Sequence, residues 1–206
     1  MKIIKASYAI ESCPSYEDAL ASFERAARTC YKSEDKITPG SAERLLKACI
    51  TRGHESTIEH LSMSVRFIVD RGVSHELVRH RLAAFSQEST RYCNYGRGEV
   101  TFIHPCFGWT EGSTLQRDWE FAMGQAEHTY LRMLGAGASP QEARSVLPNS
   151  LKTEIVMTAN FREWRHVFRL RTSKAAHPQM REVMIPLCEE MRRTHPAFFE
   201  TVGPDA

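Results

Sequence analysis

A chain of 206 residues with 42% hydrophobic and 25% charged side chains has the apolar content for a packed core and the charge of an ordinary globular protein. Its net charge of +2 argues against strong nonspecific attraction to nucleic acid, although clustered arginines can still hold anions. The N-terminal Met1-Lys2-Ile3-Ile4-Lys5 lacks the apolar stretch of a secretory signal, and no apolar run approaches the roughly 20 residues of a membrane span. The six cysteines form neither a CxxC pair nor a zinc-finger spacing. Cys30, Cys49 and Cys188 fall on helical apolar stripes, as small buried hydrophobes do, so reduced thiols and a cytoplasmic location are expected.

In chain order, residues 2–8 read as a short strand. Ser15 opens a helix to about Lys32, with Ala19, Leu20, Phe23, Ala26, Ala27 and Cys30 on one face. A second helix follows Pro39-Gly40, with Ser41 as its N-cap and Leu45, Leu46, Cys49 and Ile50 buried. From His60 to Val69 the chain alternates, placing Met63, Val65, Phe67 and Val69 on one side of a half-buried strand. Ser74 is placed to cap a third helix carrying Arg79-His80-Arg81, and a polar loop over 86–98 follows. Val100–His104 reads as a strand and Ser113–Leu134 as a long helix closed by Gly135. Ser139-Pro140 opens a short helix, Glu154–Thr158 forms a strand, and Asn160 caps a helix to Arg171. Pro178 opens the last helix, which ends before His195-Pro196. No repeat or linker interrupts the chain, so an α+β fold in a single domain over 1–206, a mixed sheet packed with helices, is expected.

Four segments carry candidate chemistry. If residues 74–85 are helical, Val78, Leu82 and Phe85 define a buried face, Arg79 and Arg81 flank it on opposite sides, and His80 points away. Two guanidiniums so placed suit two anionic groups, and a solvated basic helix end is the plainer reading. Ser86-Gln87-Glu88-Ser89-Thr90-Arg91 offers hydroxyls and a cation for phosphate, and an amide and carboxylate for a heterocycle edge; an ordinary polar turn is the alternative. On the helix from Asn160, Arg171 lies in phase with Trp164, so it needs an anionic ligand or an internal salt bridge. Arg162, Arg165 and Arg169 fall on another face, where solvation suffices. His54-Glu55 and Glu59-His60 superficially suggest a zinc protease, but those histidines lack the i, i+4 spacing on one helix, so no metal site is expected and a ligand-binding loop is favoured. No GxSxG, GxGxxG or GxxxxGK[ST] occurs, so any dinucleotide must be held by side chains and loops.

Taken together, these segments resemble the flavin-dependent thymidylate synthases. The family pattern of RHR, a spacer, Ser and a following Arg reads here as Arg79-His80-Arg81, Leu82 to Glu88, Ser89 and Arg91. Gly53-His54-Glu55-Ser56 with Glu59-His60, Arg144 with Leu147-Pro148, Asn160-Phe161-Arg162-Glu163 and Leu170-Arg171 match further family segments. The resemblance implies an α+β homotetramer with FAD at subunit interfaces. It implies methylation of dUMP at C5 to dTMP, with methylenetetrahydrofolate as carbon donor and NADPH re-reducing the flavin. By position, Ser56, Arg79, His80, Arg81, Gln87, Asn160, Arg162 and His166 match flavin contacts. Glu76, Arg79, Gln87, Glu88, Ser89, Thr90, Arg91, Arg144 and Arg171 match dUMP contacts. Arg171 matches the residue that polarises the uracil, and Ser89 reads as a binding residue, not a covalent nucleophile. Departures are Ala84 for a common serine, Ser86-Gln87 where Asn-Glu is frequent, His166 at a position often Asn, and Ala175 where some members carry a flavin-binding histidine, with His177 as the nearby substitute for that contact. The rival of another class is a nucleotide- or RNA-binding module using the same arginines; the aromatic motif of an RNA-recognition domain is absent.

Overall fold

Ser15, Asp70, Ser113 and Asn160 each turn a side-chain oxygen onto an unpaired amide at a helix start, and these caps set where the helices α1 (Tyr16–Thr29), α3 (Arg71–Leu77), α4 (Thr114–Gly135) and α6 (Phe161–Arg171) begin. The computed structural model describes residues 1–204, without the side chain of Arg97. The other helices are α2 (Ser41–Thr51), α5 (Pro140–Ala143), α7 (Pro178–Thr194) and α8 (Pro196–Phe199). The strands are β1 (Lys2–Ile4), β2 (Ser7–Ser12), β3 (Ser62–Asp70), β4 (Ala83–Gln87), β5 (Thr101–Ile103) and β6 (Lys152–Asn160). β1 pairs in parallel with β5, and a four-stranded sheet runs in the order β2-β3-β6-β4. Helices and strands thus intermix as an α+β fold.

The chain gathers into two compact units, each woven from several segments. The first comprises Met1–Ser7, Phe67–Arg79 and Phe85–Val156. Its core joins Val100, Phe102, Met123, Tyr130, Ala143 and Leu151, with Trp119, Met133 and Leu134 packed against them. The α4 helix supplies one wall because Met123, Tyr130 and Leu134 recur at helical spacing. The second unit comprises Tyr8–Arg66, His80–Ala84 and Met157 onward. Its centre is aromatic: the Phe161 ring lies 5.3 Å from Phe198 and 5.2 Å from Phe199, and Trp164 lies 5.6 Å from Phe168. The Trp164 indole donates to the Met63 carbonyl at 3.0 Å, satisfying its one polar atom in the core.

Several elements differ from the sequence reading. The strand expected over 2–8 is two strands, one in each sheet, because the chain leaves β1 at Lys5 and resumes at Ser7. Gly40, at φ 72°, occupies the N-cap of α2, and Ser41 is instead buried and donates to Glu24 at 2.5 Å. Asp70, not Ser74, caps α3; the Ser74 hydroxyl donates back to the Arg71 carbonyl at 3.0 Å. Gly135 ends α4 as a helical residue, and the left-handed position falls to Gly137 at φ 92°. Cys30 is exposed at the end of α1, Cys49 is half-buried and Cys188 is buried.

Two corrections bear on the site. The helix expected to carry Arg79-His80-Arg81 stops at Leu77, and residues 83–87 within and before the expected polar loop are strand β4. Val78 is 41% exposed and Leu82 78% exposed, so the apolar face drawn through them does not exist. The alanines at 83 and 84 favour helix locally, but β4 takes the edge next to β6, and pairing outweighs a propensity difference of a few tenths of a kcal/mol per residue. The second correction is Arg165, expected in solvent and found 1% exposed. It follows Phe161 by four residues and precedes Phe168 by three, so it shares their buried stripe. α6 is covered over most of its circumference, and a narrow stripe was the wrong picture.

The Arg165 guanidinium donates to the Phe198 carbonyl, to Glu55 Oε1 at 3.2 Å and to Thr201 Oγ1 at 3.1 Å. Removing one member of a buried charge pair leaves the other uncompensated. Arg165→Ala should therefore lower the unfolding free energy by roughly 3–5 kcal/mol, whereas Arg162→Ala, at the surface, should cost about 1 kcal/mol or less. Urea denaturation followed by circular dichroism measures both; equal losses would refute the structural role given to Arg165.

Candidate active site

The Glu55–His60 turn, a single 3-10 segment, packs on α6 because Glu55 meets Arg165 at 3.2 Å and Glu59 meets Arg162 at 2.5 Å. Between the turn and α6 lies a cavity of about 550 Å³, lined by Glu55, Glu59, Leu82, Asn160, Arg162, Glu163, His166 and Arg169. Its volume falls in the usual range for small-molecule and cofactor sites. Of the residues expected at a flavin, Asn160, Arg162 and His166 line this cavity. Ser56 lies on the same turn and is exposed, lining a smaller pocket with Cys30, Cys49 and His54.

Arg79-His80-Arg81 behaves opposite to the helical reading. His80 is 5% exposed and inside, while Arg79 and Arg81 are exposed. A turn in place of a helix inverts which side chain faces in, since the backbone no longer advances by a fixed angle. His80 sits between two groups of the second unit. Arg171 Nε donates to His80 Nε2 at 2.9 Å, and His80 Nδ1 lies 3.3 Å from Glu163 Oε1. Burial, then the charge of Arg171 and the His166 ring, pull the His80 imidazole down from 6.5 to about 4. Burial pushes the Glu163 carboxyl up, with His166 opposing. Arg171 is half-buried, and one of its contacts is this bond to the neutral His80.

The first unit holds most of the residues expected at a nucleotide. Gln87, on β4, donates to Ser74 at 2.9 Å and to Thr153 at 3.2 Å. Glu88 accepts from Tyr95 at 2.8 Å, from Lys152 at 3.1 Å and from the Glu154 amide at 3.2 Å, so it anchors the strand end. Burial and this bond to Glu88 raise the Tyr95 phenol well above its usual range. The Ser89 hydroxyl accepts the Arg91 amide at 3.3 Å, closing a turn. Thr90 is buried and accepts from Arg144 at 3.1 Å, so two segments distant in sequence meet. Arg79, Arg91 and Arg144 are exposed, and Glu76 is half-buried on α3.

One family model, described as "Thymidylate synthase complementing protein" (Thy1), matches residues 14–197 and so runs through both units. The chain belongs to this family. It is 32% identical over 203 residues to the flavin-dependent thymidylate synthase of Geobacter sulfurreducens, covering 95% of this chain and 85% of that one. It is 33% identical over 212 residues to the one from Corynebacterium glutamicum, covering 92% and 82%. A third, from Pyrococcus horikoshii, is 34% identical over 164 residues, covering 77% and 66%. Among solved structures, a UMP/dUMP methylase, PolB, from Streptomyces cacaoi bound with 5-Br dUMP superposes with a TM-score of 0.81 at 24% identity, covering 97% of this chain and 96% of that one. At that identity the likeness is one of fold.

For this Thy1 family member, sequence reasoning missed Glu55, Glu59, Glu163, Arg165 and Arg169 as shaping residues. The carboxylates stood inside the quoted motifs, but nothing local shows that they pair with α6. His80, Glu163 and His166 bring their ligand atoms within 4.8 Å of one another, as a metal site would. Arg171 nevertheless occupies His80 Nε2, and the Nδ1 proton faces Glu163, so His80 offers no lone pair to a cation in this arrangement.

A buried neutral histidine has a pH signature. Between pH 6.5 and about 4 the unfolded chain binds a proton at residue 80 that the folded chain refuses, so stability falls as pH drops through that window and levels off below it. NMR titration should find His80 still neutral at pH 6 and titrating near 4. Arg171→Ala should bring it part of the way back toward 6.5. A wild-type value already near 6.5 would refute the buried setting.

Proposed function

We propose that this chain is a flavoenzyme that methylates dUMP at C5 to give dTMP, taking carbon from methylenetetrahydrofolate and hydride from FAD that NADPH has reduced. The observation that carries the reading is the joint one: a family match across residues 14–197 and a polar cavity built from the flavin-matching Asn160, Arg162 and His166. One match across both units also supports treating 1–206 as a single catalytic domain.

The residues present fit FAD. Arg162 and Arg169 stand about half exposed at the cavity, each held by a carboxylate of the Glu55–His60 turn, so either can turn to a pyrophosphate without disturbing the core. Asn160 and His166 offer hydrogen bonds to a polar ring edge, with Ser56, His80, Arg81, Arg79 and Gln87 as the further expected contacts. When bound, the flavin supplies the hydride.

For the nucleotide, Arg144 and Thr90 already form a polar pair, and exposed Arg91 and Arg79 add the charge a 5′-phosphate needs. Glu76, Gln87, Glu88 and Ser89 complete the expected set. Arg171 is the proposed catalytic residue: a guanidinium at the uracil draws electron density from the ring and favours the charge that C5 must carry to attack carbon. Ser89 binds and forms no covalent bond. A homotetramer with sites at subunit interfaces accords with the exposed Leu115 and Phe121 of α4, and a light-scattering mass of one chain would count against it.

Purified protein should be yellow, bleach with NADPH and release tritium from 5-³H-dUMP when folate is supplied. Colourless protein that takes up no FAD and releases no tritium sinks the reading. Arg171→Ala should abolish methylation while FAD stays bound, a loss of roughly 2–5 kcal/mol for one charged contact in a dry site. Loss of flavin with nucleotide binding intact would show that Arg171 serves the other ligand.

A further inference from the structure

The order of donors around His80 is settled by chemistry, since a guanidinium has no acceptor. Arg171 Nε, at 2.9 Å, can only donate, so His80 Nε2 must present its lone pair. The ring proton therefore sits on Nδ1, which lies 3.3 Å from Glu163 Oε1. Glu163 is itself held: it is 6% exposed, and its backbone amide donates to the Asn160 cap at 2.8 Å, so the first turn of α6 fixes its direction. All three groups belong to the second unit.

We propose that Glu163 is a positioning residue: by accepting the Nδ1 proton of His80 it selects the tautomer whose Nε2 receives Arg171, and so sets the orientation of that guanidinium. The catalytic consequence rests on the reading above, in which Arg171 meets the uracil. A guanidinium is planar, so tying down Nε fixes the plane in which its two terminal nitrogens lie. Without an acceptor at Nδ1 the imidazole is free to carry its proton on Nε2, where it opposes the Arg171 N–H with another hydrogen. The same logic, a carboxylate fixing a histidine tautomer, governs other catalytic and metal-bound histidines. Two neighbours face this arrangement. His166 stacks edge-on at 5.9 Å from His80, and the cavity opens beside Glu163.

The test separates hydrogen-bond acceptance from charge. Glutamine keeps an oxygen acceptor at this position, and leucine removes it at similar volume. Imidazole ¹⁵N shifts in histidine-labelled full-length protein, without nucleotide, should show the Nδ1–H tautomer at residue 80 in wild type and in Glu163→Gln. Glu163→Leu should move His80 toward Nε2–H. With FAD bound and dUMP saturating, kcat should fall roughly 10–100-fold in Glu163→Leu and stay close to wild type in Glu163→Gln. A wild-type Nε2–H tautomer overturns the proposal, as does a leucine variant with unchanged shifts or a glutamine variant as impaired as leucine. If Glu163→Leu does not fold, the wild-type and glutamine shifts and the glutamine kcat still decide. Wild-type protein that takes up FAD but never turns over dUMP overturns the dUMP reading and the catalytic half of this proposal, while the nitrogen shifts separately uphold or overturn the tautomer half.

Discussion

The contact between Arg165 and Glu55 organises the second unit. A guanidinium that is 1% exposed must be paired, and its partner comes from a turn more than a hundred residues earlier in the chain. Bringing Glu55 to α6 brings Glu59 to Arg162 and Arg169 to Glu55, and the space left between turn and helix is the polar cavity. The cavity is thus a by-product of solving a burial problem. Its carboxylates hold arginines in place at the cavity wall.

Around the same helix a second buried polar set follows a different rule. His80 and Glu163 are adjacent and both depart from their ordinary ionisation in the direction that suppresses charge: the histidine stays neutral and the carboxyl is raised. Arg171 Nε donates to the neutral histidine's Nε2 at 2.9 Å. Arg165 is answered by a carboxylate, a carbonyl and a hydroxyl, and is structural.

The first unit makes its polar loop by anchoring both ends. Glu88 is tied to Tyr95, Lys152 and the β6 backbone, and Gln87 to Ser74 and Thr153. Ser89 to Arg91 then form a short turn whose one cation, Arg91, is exposed. Residues expected from the resemblance as ligand contacts thereby work as fasteners within the fold.

Much of this was readable from residues alone. The alternation of Met63, Val65, Phe67 and Val69 dictates a half-buried strand, and Ser15, Ser113 and Asn160 dictate helix starts, because these signals are local. The family was legible because several motifs coincide in order and spacing. Local signals failed where long-range pairing decided the outcome. Nothing within residues 78–87 shows that β4 will pair beside β6, and that pairing ends α3 at Leu77, turns His80 inward and leaves Arg79 and Arg81 outside. Likewise, whether Arg165 is solvated depends on how much of α6 other elements cover. The sequence by itself determined which chemical groups are available; the tertiary structure decided which are buried, and burial, through the cost of an unpartnered polar group, assigns each one its partner and its charge.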